Sequence, residues 1–155
     1  MGPLSVTSPA FKQGEVLPRR FTCDGENVSP ALSWGQAPEG TRSLAILCDD
    51  PDAPRGVWTH WVLYNLPPTT TSIREGRPQE ETLPNGARQG MNDSRKVGYD
   101  GPSPPSGPAH RYFFHVYALD AMLKPVKGMT RAQLLQATEG HVLARGELMG
   151  KYQRK

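Results

Sequence analysis

The chain has no long apolar run and little cysteine. No stretch approaches the roughly 18 apolar residues that a membrane-spanning helix requires, and residues 1–6 have neither the basic nor the apolar region of a signal peptide. Its two cysteines, Cys23 and Cys48, lack the Cys-x-x-Cys spacing of metal and redox motifs. We therefore expect a cytoplasmic protein with two free thiols, because disulfides are rare in a reducing compartment.

Charge of one sign is not concentrated anywhere in the sequence. The net charge is +3, and the 18 lysines and arginines are spread along the chain. We find no continuous basic segment interleaved with aromatic residues, which is the pattern of a nucleic-acid-binding surface. We therefore interpret the charges as solvated surface and do not expect a nucleic acid as partner.

Glycine and proline, in contrast, are abundant, with 16 of each. Their combined share falls short of the roughly 25–30% typical of low-complexity sequence, and it favours many turns and short strands over a helical bundle. The length of 155 residues predicts one domain spanning 1–155. A chain of this size buries about 70% of its unfolded surface, which is enough for a substantial core.

Hydrophobic periodicity predicts a mainly β fold with one helix. Residues 43–48 form a continuous apolar run, which is typical of a central strand covered on both faces. Residues 58–66 and 110–119 alternate between two faces, and residues 141–152 alternate again. Between the last two strands, a threonine N-cap and a following glycine delimit a helix at 131–139.

The remaining segments carry weaker signals. Residues 4–11 are predicted to form an edge strand, and residues 16–21 a second short one, because Pro18 is tolerated mainly at sheet edges. Residues 69–96 are polar, rich in glycine and without a clear period. They predict a long surface loop, which in a compact domain is usually functional or poorly ordered.

Acidic and imidazole groups stand at the ends of the strong strands. Asp50 and Asp52 lie in a turn that two prolines make rigid and deprive of N–H donors. His60 stands near the start of one strand, and His110 begins another after the Pro/Gly-rich segment 101–108. A neighbouring carboxylate raises the pKa of a histidine and fixes its tautomer, so we expect each imidazole to donate to an anion.

Two catalytic uses of these groups are open but unspecific. Asp50, His60 and His110 supply the two imidazoles and one carboxylate of a metal-binding facial triad, although they lie far apart in the sequence. Ser103 and Ser106 lie near His110, as a hydrolase would require. A proline follows Ser103 and cannot supply an oxyanion N–H, and Ser106 lacks the Gly-x-Ser-x-Gly setting of a nucleophile.

The hypothesis that we favour is a non-catalytic pocket, with no cofactor and no metal. His60 and His110 would hold a phosphate or carboxylate, and Asp50 and Asp52 would accept hydrogen bonds from an ammonium group. Tyr112 would form a wall on the strand face that it shares with His110. This hypothesis explains why acids and imidazoles occur together, and a few convergent polar groups on a rigid frame are typical of a small-ligand site.

Three segments together resemble the phosphatidylethanolamine-binding protein family, also called the Raf kinase inhibitor protein family. They are Asp-Pro-Asp-Ala-Pro at 50–54, Trp-Thr-His-Trp at 58–61, and Gly-Pro-Ser-Pro-Pro with His-Arg-Tyr-Phe-Phe at 101–114. Residues 21–30 and 148–152 resemble the short bacterial and archaeal branch of that family. Each motif alone is weak, whereas their order and joint presence are specific.

The resemblance implies a β-sandwich around a large central antiparallel sheet, with one or two short helices. It also implies an anion pocket at one end of the sheet, where family members bind phosphate, acetate-like anions and phosphoethanolamine head groups. Matched residue by residue, the family's pocket motifs correspond to Asp50, Asp52, Trp58, His60, Gly101, Pro104, Pro105, His110 and Tyr112.

The same resemblance implies the kinds of partner to expect. Some family members inhibit serine proteases and some regulate kinases, so binding a protease or kinase through the pocket loops is the alternative function, and a homodimer is an open possibility. Longer eukaryotic members close the site with a C-terminal helix. Here residues 141–152 are strand-like, which predicts a shallower, more exposed pocket and weighs against kinase regulation and tight phospholipid binding.

Overall fold

The structure is a computed structural model that describes residues 2–154. It contains eight strands, one α-helix (α1) and a 3₁₀ helix at Arg19–Phe21. In chain order the strands and the helix are β1 Gly2–Pro3, β2 Leu32–Ser33, β3 Ser43–Asp50, β4 Trp58–Leu66, β5 Ser72–Ile73, β6 Arg88–Gln89, β7 His110–Leu119, α1 Arg131–Thr138 and β8 Val142–Tyr152.

A large central sheet organises the molecule, as expected from the sequence. Its strand order is β1-β8-β7-β3-β4-β6, and all neighbours are antiparallel except β1, which runs parallel to β8. Strands β2 and β5 form a separate antiparallel pair. The prediction of a mainly β fold with a large antiparallel sheet and one or two short helices is confirmed.

Strand β3 is the buried centre of this sheet. All eight of its residues are buried, as its continuous apolar pattern predicts. Leu44, Ile46 and Cys48 belong to one apolar core, whereas Ala45 and Leu47 belong to a second core that includes side chains of α1. Because both faces are covered, β3 holds its neighbours β4 and β7 in a fixed register.

That register brings the polar strand ends together. Asp50 at the end of β3 pairs with Trp58 at the start of β4, and Asp49 pairs with Phe113 near the start of β7. In an antiparallel sheet, the end of one strand lies beside the starts of the two strands that pair with it. The turn after β3 and the beginnings of β4 and β7 therefore lie at one end of the sheet.

The segment at 69–96 is more structured than its composition predicts. It contains β5 and β6, and Leu83, Gln89 and Asn92 are buried within it. The prediction of a plain surface loop at 69–96 is therefore wrong. Its polar side chains turn inward to satisfy backbone and side-chain groups, as when Oε1 of Gln89 accepts from Nε1 of Trp61 at 2.8 Å.

The N-terminal predictions also need correction. Pairing at the predicted edge strand 4–11 is limited to short contacts, such as the isolated bridge from Thr7 to Ser33, while β1 lies just before it. Within 16–21, the chain forms a 3₁₀ helix instead of a strand, because the carbonyl of Pro18 accepts from the N–H of Phe21 at 3.0 Å. Proline is compatible with that turn because its ring fixes φ in the helical range.

The predicted helix is present with its expected caps. The hydroxyl of Thr130 accepts from the backbone N–H of Gln133, and the side chain of Gln133 accepts from the N–H of Thr130 in return. Gly140 follows the helix with φ at +80°, which glycine adopts without steric cost. Neither of the described helices is long and apolar enough to cross a membrane.

Candidate functional site

A cavity of about 530 Å³ opens at the end of the sheet where β3 ends and β4 and β7 begin. Eight of the nine site residues proposed from the sequence line it, and Asp52 does not. The eight are Asp50, Trp58, His60, Gly101, Pro104, Pro105, His110 and Tyr112. Asp50, His60 and His110, far apart in the sequence, therefore share one cavity.

Asp50 supports His110 from behind. Its Oδ2 accepts a hydrogen bond from Nδ1 of His110 at 2.7 Å, and its Oδ1 accepts from the backbone N–H of Asp52 at 2.7 Å. Only 3% of Asp50 is exposed. A carboxylate accepts and does not donate, so the hydrogen of His110 is fixed on Nδ1. In the neutral imidazole, Nε2 is then the unprotonated nitrogen.

His60 has a different group behind it. Its Nδ1 lies 2.6 Å from the backbone carbonyl oxygen of Asp100. Since a carbonyl can only accept, Nδ1 is the donor, and Nε2 of the neutral ring is an acceptor. Burial lowers the pKa of His60, and the hydrogen bond to Asp100 and the carboxylate of Asp50 oppose that shift. The expectation that a neighbouring carboxylate raises this pKa is therefore wrong for His60, because desolvation of the buried ring is larger.

Tyr112 packs close to both imidazoles. Its ring centroid is 5.3 Å from that of His60 in an edge-on arrangement and 6.4 Å from that of His110 in a stacked one. Burial, followed by the nearby carboxylate of Asp50, raises the pKa of the Tyr112 phenol well above its usual value. The phenol is therefore neutral, and its residue lines the cavity beside both histidines.

Asp52 is directed away from the cavity. Its carboxylate accepts from the backbone N–H, Nε and Nη2 of Arg111, each at 2.9 Å. Hydrogen bonding to Arg111 lowers the pKa of Asp52 to about 2, against a smaller opposing effect of burial. Because consecutive strand residues point to opposite faces, Arg111 draws Asp52 to the face opposite His110. The expected contact of Asp52 with an ammonium group in the cavity is thus not supported.

Asn27 and Asp100 also line the cavity, and the sequence did not identify them as site residues. Nδ2 of Asn27 donates to Oδ1 of Asp100 at 2.7 Å, and Oδ1 of Asn27 accepts from the N–H of Gly101 at 2.7 Å. Burial raises the pKa of Asp100, but hydrogen bonds from Ser94 and Asn27 outweigh it and lower the value overall. Asp100 is therefore an ionised carboxylate at the cavity wall, the position proposed for Asp52.

Gly101 is required by a close approach of two backbone segments. A Cβ atom at this position would lie 2.1 Å from the carbonyl oxygen of Phe21 and 2.8 Å from Oδ1 of Asn27. No side chain fits at the first distance without movement of the backbone. The absence of a side chain at Gly101 therefore allows the loop before β7 to contact the turn at residues 22–27.

Lys96 adds a cation that the sequence analysis also missed. It lines the cavity with Ser94, on a loop that Asn92 holds in place. Oδ1 of Asn92 accepts from the N–H groups of Ser94 and Lys96 at 3.0 and 3.1 Å, and its Nδ2 donates to the carbonyl of Gly98 at 3.0 Å. The only available signal was an asparagine followed by turn-forming residues, which does not reveal where the loop lies.

The two catalytic hypotheses find little geometric support. Among residues 2–154, no group of three or more His, Cys, Asp or Glu side chains is arranged to hold a metal ion. Oδ2 of Asp50 is hydrogen-bonded to His110, so this carboxylate positions an imidazole. Ser103 lines the cavity, whereas Ser106 forms a β-bridge with Arg154 and does not line it.

Burial of His60 makes stability depend on pH. Since its folded pKa lies below the ordinary value of 6.5, the unfolded state binds the proton first, and the free energy of unfolding falls as pH drops below that value. We expect this loss, at most about 1.4 kcal/mol per pH unit for one proton, to be absent from His60→Gln. Urea unfolding of both proteins between pH 7.5 and 5.0 measures the difference.

The control for this experiment is His141→Gln, because His141 is exposed and paired with Asp120 away from the cavity. That variant retains His60 and is expected to keep its contribution to the pH dependence. Identical pH dependence of wild type and His60→Gln would show that the ring is not held neutral by burial.

Comparisons with known proteins agree with this architecture. The family model described as "Phosphatidylethanolamine-binding protein" matches residues 7–153. A protein of Methanothermobacter thermautotrophicus named "UPF0098 protein" is 50% identical over 151 residues, which cover 97% of this chain and 99% of that protein. A protein of the same name from Chlamydia muridarum is 41% identical over 155 residues, with coverage of 97% and 99%.

Two solved structures show the same fold. A putative phosphatidylethanolamine-binding protein homologue from Chlamydia trachomatis has a TM-score of 0.88 and 38% identity and covers all of both chains. Escherichia coli YbcL, described as a new member of the mammalian PEBP family, has a TM-score of 0.91 and 35% identity, covering 99% of this chain and 100% of its own. The sequence and structural matches together show that the chain belongs to the phosphatidylethanolamine-binding protein family.

Proposed function

We propose that the cavity binds a small anionic or zwitterionic ligand and releases it chemically unchanged. Phosphate, a phosphoethanolamine-type head group and a carboxylate are the ligands that its groups fit. The observation that carries this proposal is the convergence of two imidazoles, His60 and His110, on one cavity with the Nδ1 atom of each hydrogen-bonded behind it. Each ring is thereby held with a fixed tautomer.

The anionic part of the ligand would lie between His110 and Lys96. Lys96 supplies a positive charge to the cavity wall. Nε2 of His110 donates when it carries a proton, and the carboxylate of Asp50 behind the ring compensates that charge. A phosphate or carboxylate would therefore find a cationic donor in Lys96 and a second donor in His110 when that ring carries a proton.

The cationic part of a zwitterion would contact Asp100. The lowered pKa of this carboxyl group favours its ionised form, and its side chain lines the same cavity. A volume of about 530 Å³ lies within the range of small-ligand sites and exceeds that of an inorganic anion. A head group that combines phosphate and ammonium uses both kinds of wall, and the name of the family agrees with such a ligand.

Binding without turnover is supported by the surroundings of the two candidate nucleophiles in the cavity. Cys23 and Ser103 line the cavity, but within residues 2–154 neither is hydrogen-bonded to a histidine. Nucleophilic catalysis by such residues requires a base within hydrogen-bond reach. Asp50 and His110 form a supported pair that has no nucleophile attached to it in this geometry.

We expect His110→Gln to weaken phosphoethanolamine binding by about tenfold, because a hydrogen bond to a charged group contributes about 1.5–3 kcal/mol. Isothermal titration calorimetry at pH 6.5 measures the change, and circular dichroism checks that the variant folds. His141→Gln is the matched control and is expected to bind like the wild type. Equal affinities of His110→Gln and wild type would remove His110 from the site.

The variant Asp100→Asn distinguishes binding of the ammonium group from binding of the phosphate group. This change removes the negative charge but keeps an oxygen to accept from Asn27. We expect phosphoethanolamine to bind about two to fivefold more weakly, since a partly exposed ion pair is worth up to about 1 kcal/mol, while inorganic phosphate binds no more weakly. Titration of both ligands into both proteins gives the comparison. Equal losses for the two ligands would contradict a contact between Asp100 and the ammonium group.

An alternative function is inhibition or regulation of a serine protease or kinase through the loops of the cavity. The exposure of Val57 and Trp58, 44% and 41% respectively, favours it, because large apolar residues at a cavity rim are suited to contact a protein. This function requires that the wild type inhibit a serine protease or kinase in an activity assay and that Val57→Ser inhibit it less. Equal inhibition by both proteins would exclude this rim as the contact.

A further inference from the structure

The two imidazoles of the cavity have unlike groups behind them. Nδ1 of His110 donates to a carboxylate, that of Asp50, whereas Nδ1 of His60 donates to a neutral carbonyl, that of Asp100. A proton on Nε2 of His110 would create an ion pair with Asp50. A proton on Nε2 of His60 would create a charge in a ring that is only 5% exposed, with no carboxylate in direct contact.

The surroundings of His60 do contain carboxylates, but each is engaged elsewhere. Asp50 is held by His110, Asp93 by the N–H of Thr59 at 2.7 Å, and Asp100 by Asn27. Desolvation of the ring therefore exceeds their attraction. The titratable and charged groups around His60 are Asp50 on β3, Asp93, Lys96 and Asp100 on the loop before β7, His110 and Tyr112 on β7, and Cys23 across the cavity.

We propose that the cavity binds its anion in a form that carries one acidic hydrogen, which the O–H of the anion donates to Nε2 of His60. This inference rests on the proposed function and specifies which ligands the site prefers. The remaining oxygens of the anion face Lys96, which serves as a donor, and His110, whose Nε2 donates only when that ring has taken up a proton of its own. No covalent bond changes, and the complex holds one shared proton between the anion and Nε2 of His60.

Phosphate monoesters are the chemical class that meets this requirement. Their second pKa lies near about 6, so the singly protonated form is available close to neutral pH. A sulfate ester of similar shape carries no such hydrogen, and its binding requires that His60 take a proton from solvent. A phosphodiester has the same limitation. A site with His60 as acceptor therefore favours an anion that brings its own proton over one that does not.

Calorimetry of the wild-type protein tests the inference with methyl phosphate as the probe. At pH 7.5 most free methyl phosphate is a dianion, so we expect binding to take up about one proton on the anion, in addition to any proton that His110 takes up to become a donor. The uptake is seen as a heat that depends on the ionisation enthalpy of the buffer. At pH 5.0 the free ligand already carries its hydrogen, and the net uptake is expected to fall to zero or below. Above the ligand's pKa, affinity should fall about tenfold per pH unit.

The variant His60→Gln identifies the group involved. An amide donates to the dianion directly, so we expect this variant to take up about one proton less than the wild type when it binds methyl phosphate at pH 7.5. His141→Gln, which alters an exposed histidine outside the cavity, should take up as many protons as the wild type. His110→Gln removes the other imidazole that could take up a proton and should still take up about one, which decides the question even if His60→Gln fails to fold.

The failure of this inference differs from that of the proposed function. Binding of methyl phosphate at pH 7.5 without proton uptake would overturn the shared proton and leave anion binding intact. An uptake as large in His60→Gln as in the wild type would assign the proton to another group and would also overturn it. If the wild type binds neither methyl phosphate nor methyl sulfate at pH 5.0 and 7.5, the proposed function fails, and this inference fails with it.

Discussion

The hydrogen bond between Asp50 and His110 is the contact on which the geometry of the site depends. It joins the last residue of β3 to the first residue of β7 at 2.7 Å, and both residues are buried. A buried carboxylate is stable only when its oxygens have partners, because an unpaired buried charge costs about 3–5 kcal/mol. Here one oxygen binds the imidazole and the other binds the N–H of Asp52. The same contacts therefore satisfy Asp50, orient His110 and begin the turn that forms one side of the cavity.

Strand alternation explains why residues of the same type have different roles. Asp49 and Asp50 are neighbours on β3 and point to opposite faces. Asp50 supports His110 at the cavity, whereas Asp49 binds His115 at 3.1 Å and Arg131 at 3.0 Å on the side that carries α1. The sheet thus holds an Asp–His pair on each face. One pair opens onto a cavity, and the other joins the helix to the sheet.

The sequence predicted the parts of the fold whose pattern is local. The apolar run of β3, the alternation of β4 and β7, and the threonine and glycine that delimit α1 are local patterns that indicate the conformation of their own segments. The structure has these elements where expected. The 3₁₀ helix at Arg19–Phe21 and the buried side chains between residues 69 and 96 were missed. Between residues 69 and 96, contacts with distant strands determine which polar groups are turned inward, and no local period records them. At the 3₁₀ helix, Pro18 in the sequence favours an edge strand, whereas in the structure its carbonyl accepts the hydrogen bond that forms the turn.

The candidate site, like the fold, was predictable where the signal is local in the sequence. Histidines and acids at strand ends can be read from the sequence, since the register of an antiparallel sheet brings such ends together. The pairing of Asp52 with Arg111 depends on which face each side chain takes, and the position of Asn27 depends on a partner more than 70 residues away. Burial of His60 is likewise a property of the assembled cavity, so the direction of its pKa could not be obtained from its neighbours in sequence.

These long-range contacts connect the loops to the chemistry of the imidazoles. Asn27, in the left-handed region with φ at +58°, binds both Asp100 and the N–H of Gly101. The backbone N–H of Asp100 donates to the carbonyl of His60, and its own carbonyl accepts from Nδ1 of that histidine. The turn that contains Asn27 therefore positions the carbonyl that sets the tautomer of His60. Since this carbonyl bears no net charge, it orients the ring but stabilises a second proton too weakly to offset burial. The acceptor that His60 presents to the cavity therefore follows from how the loop is anchored.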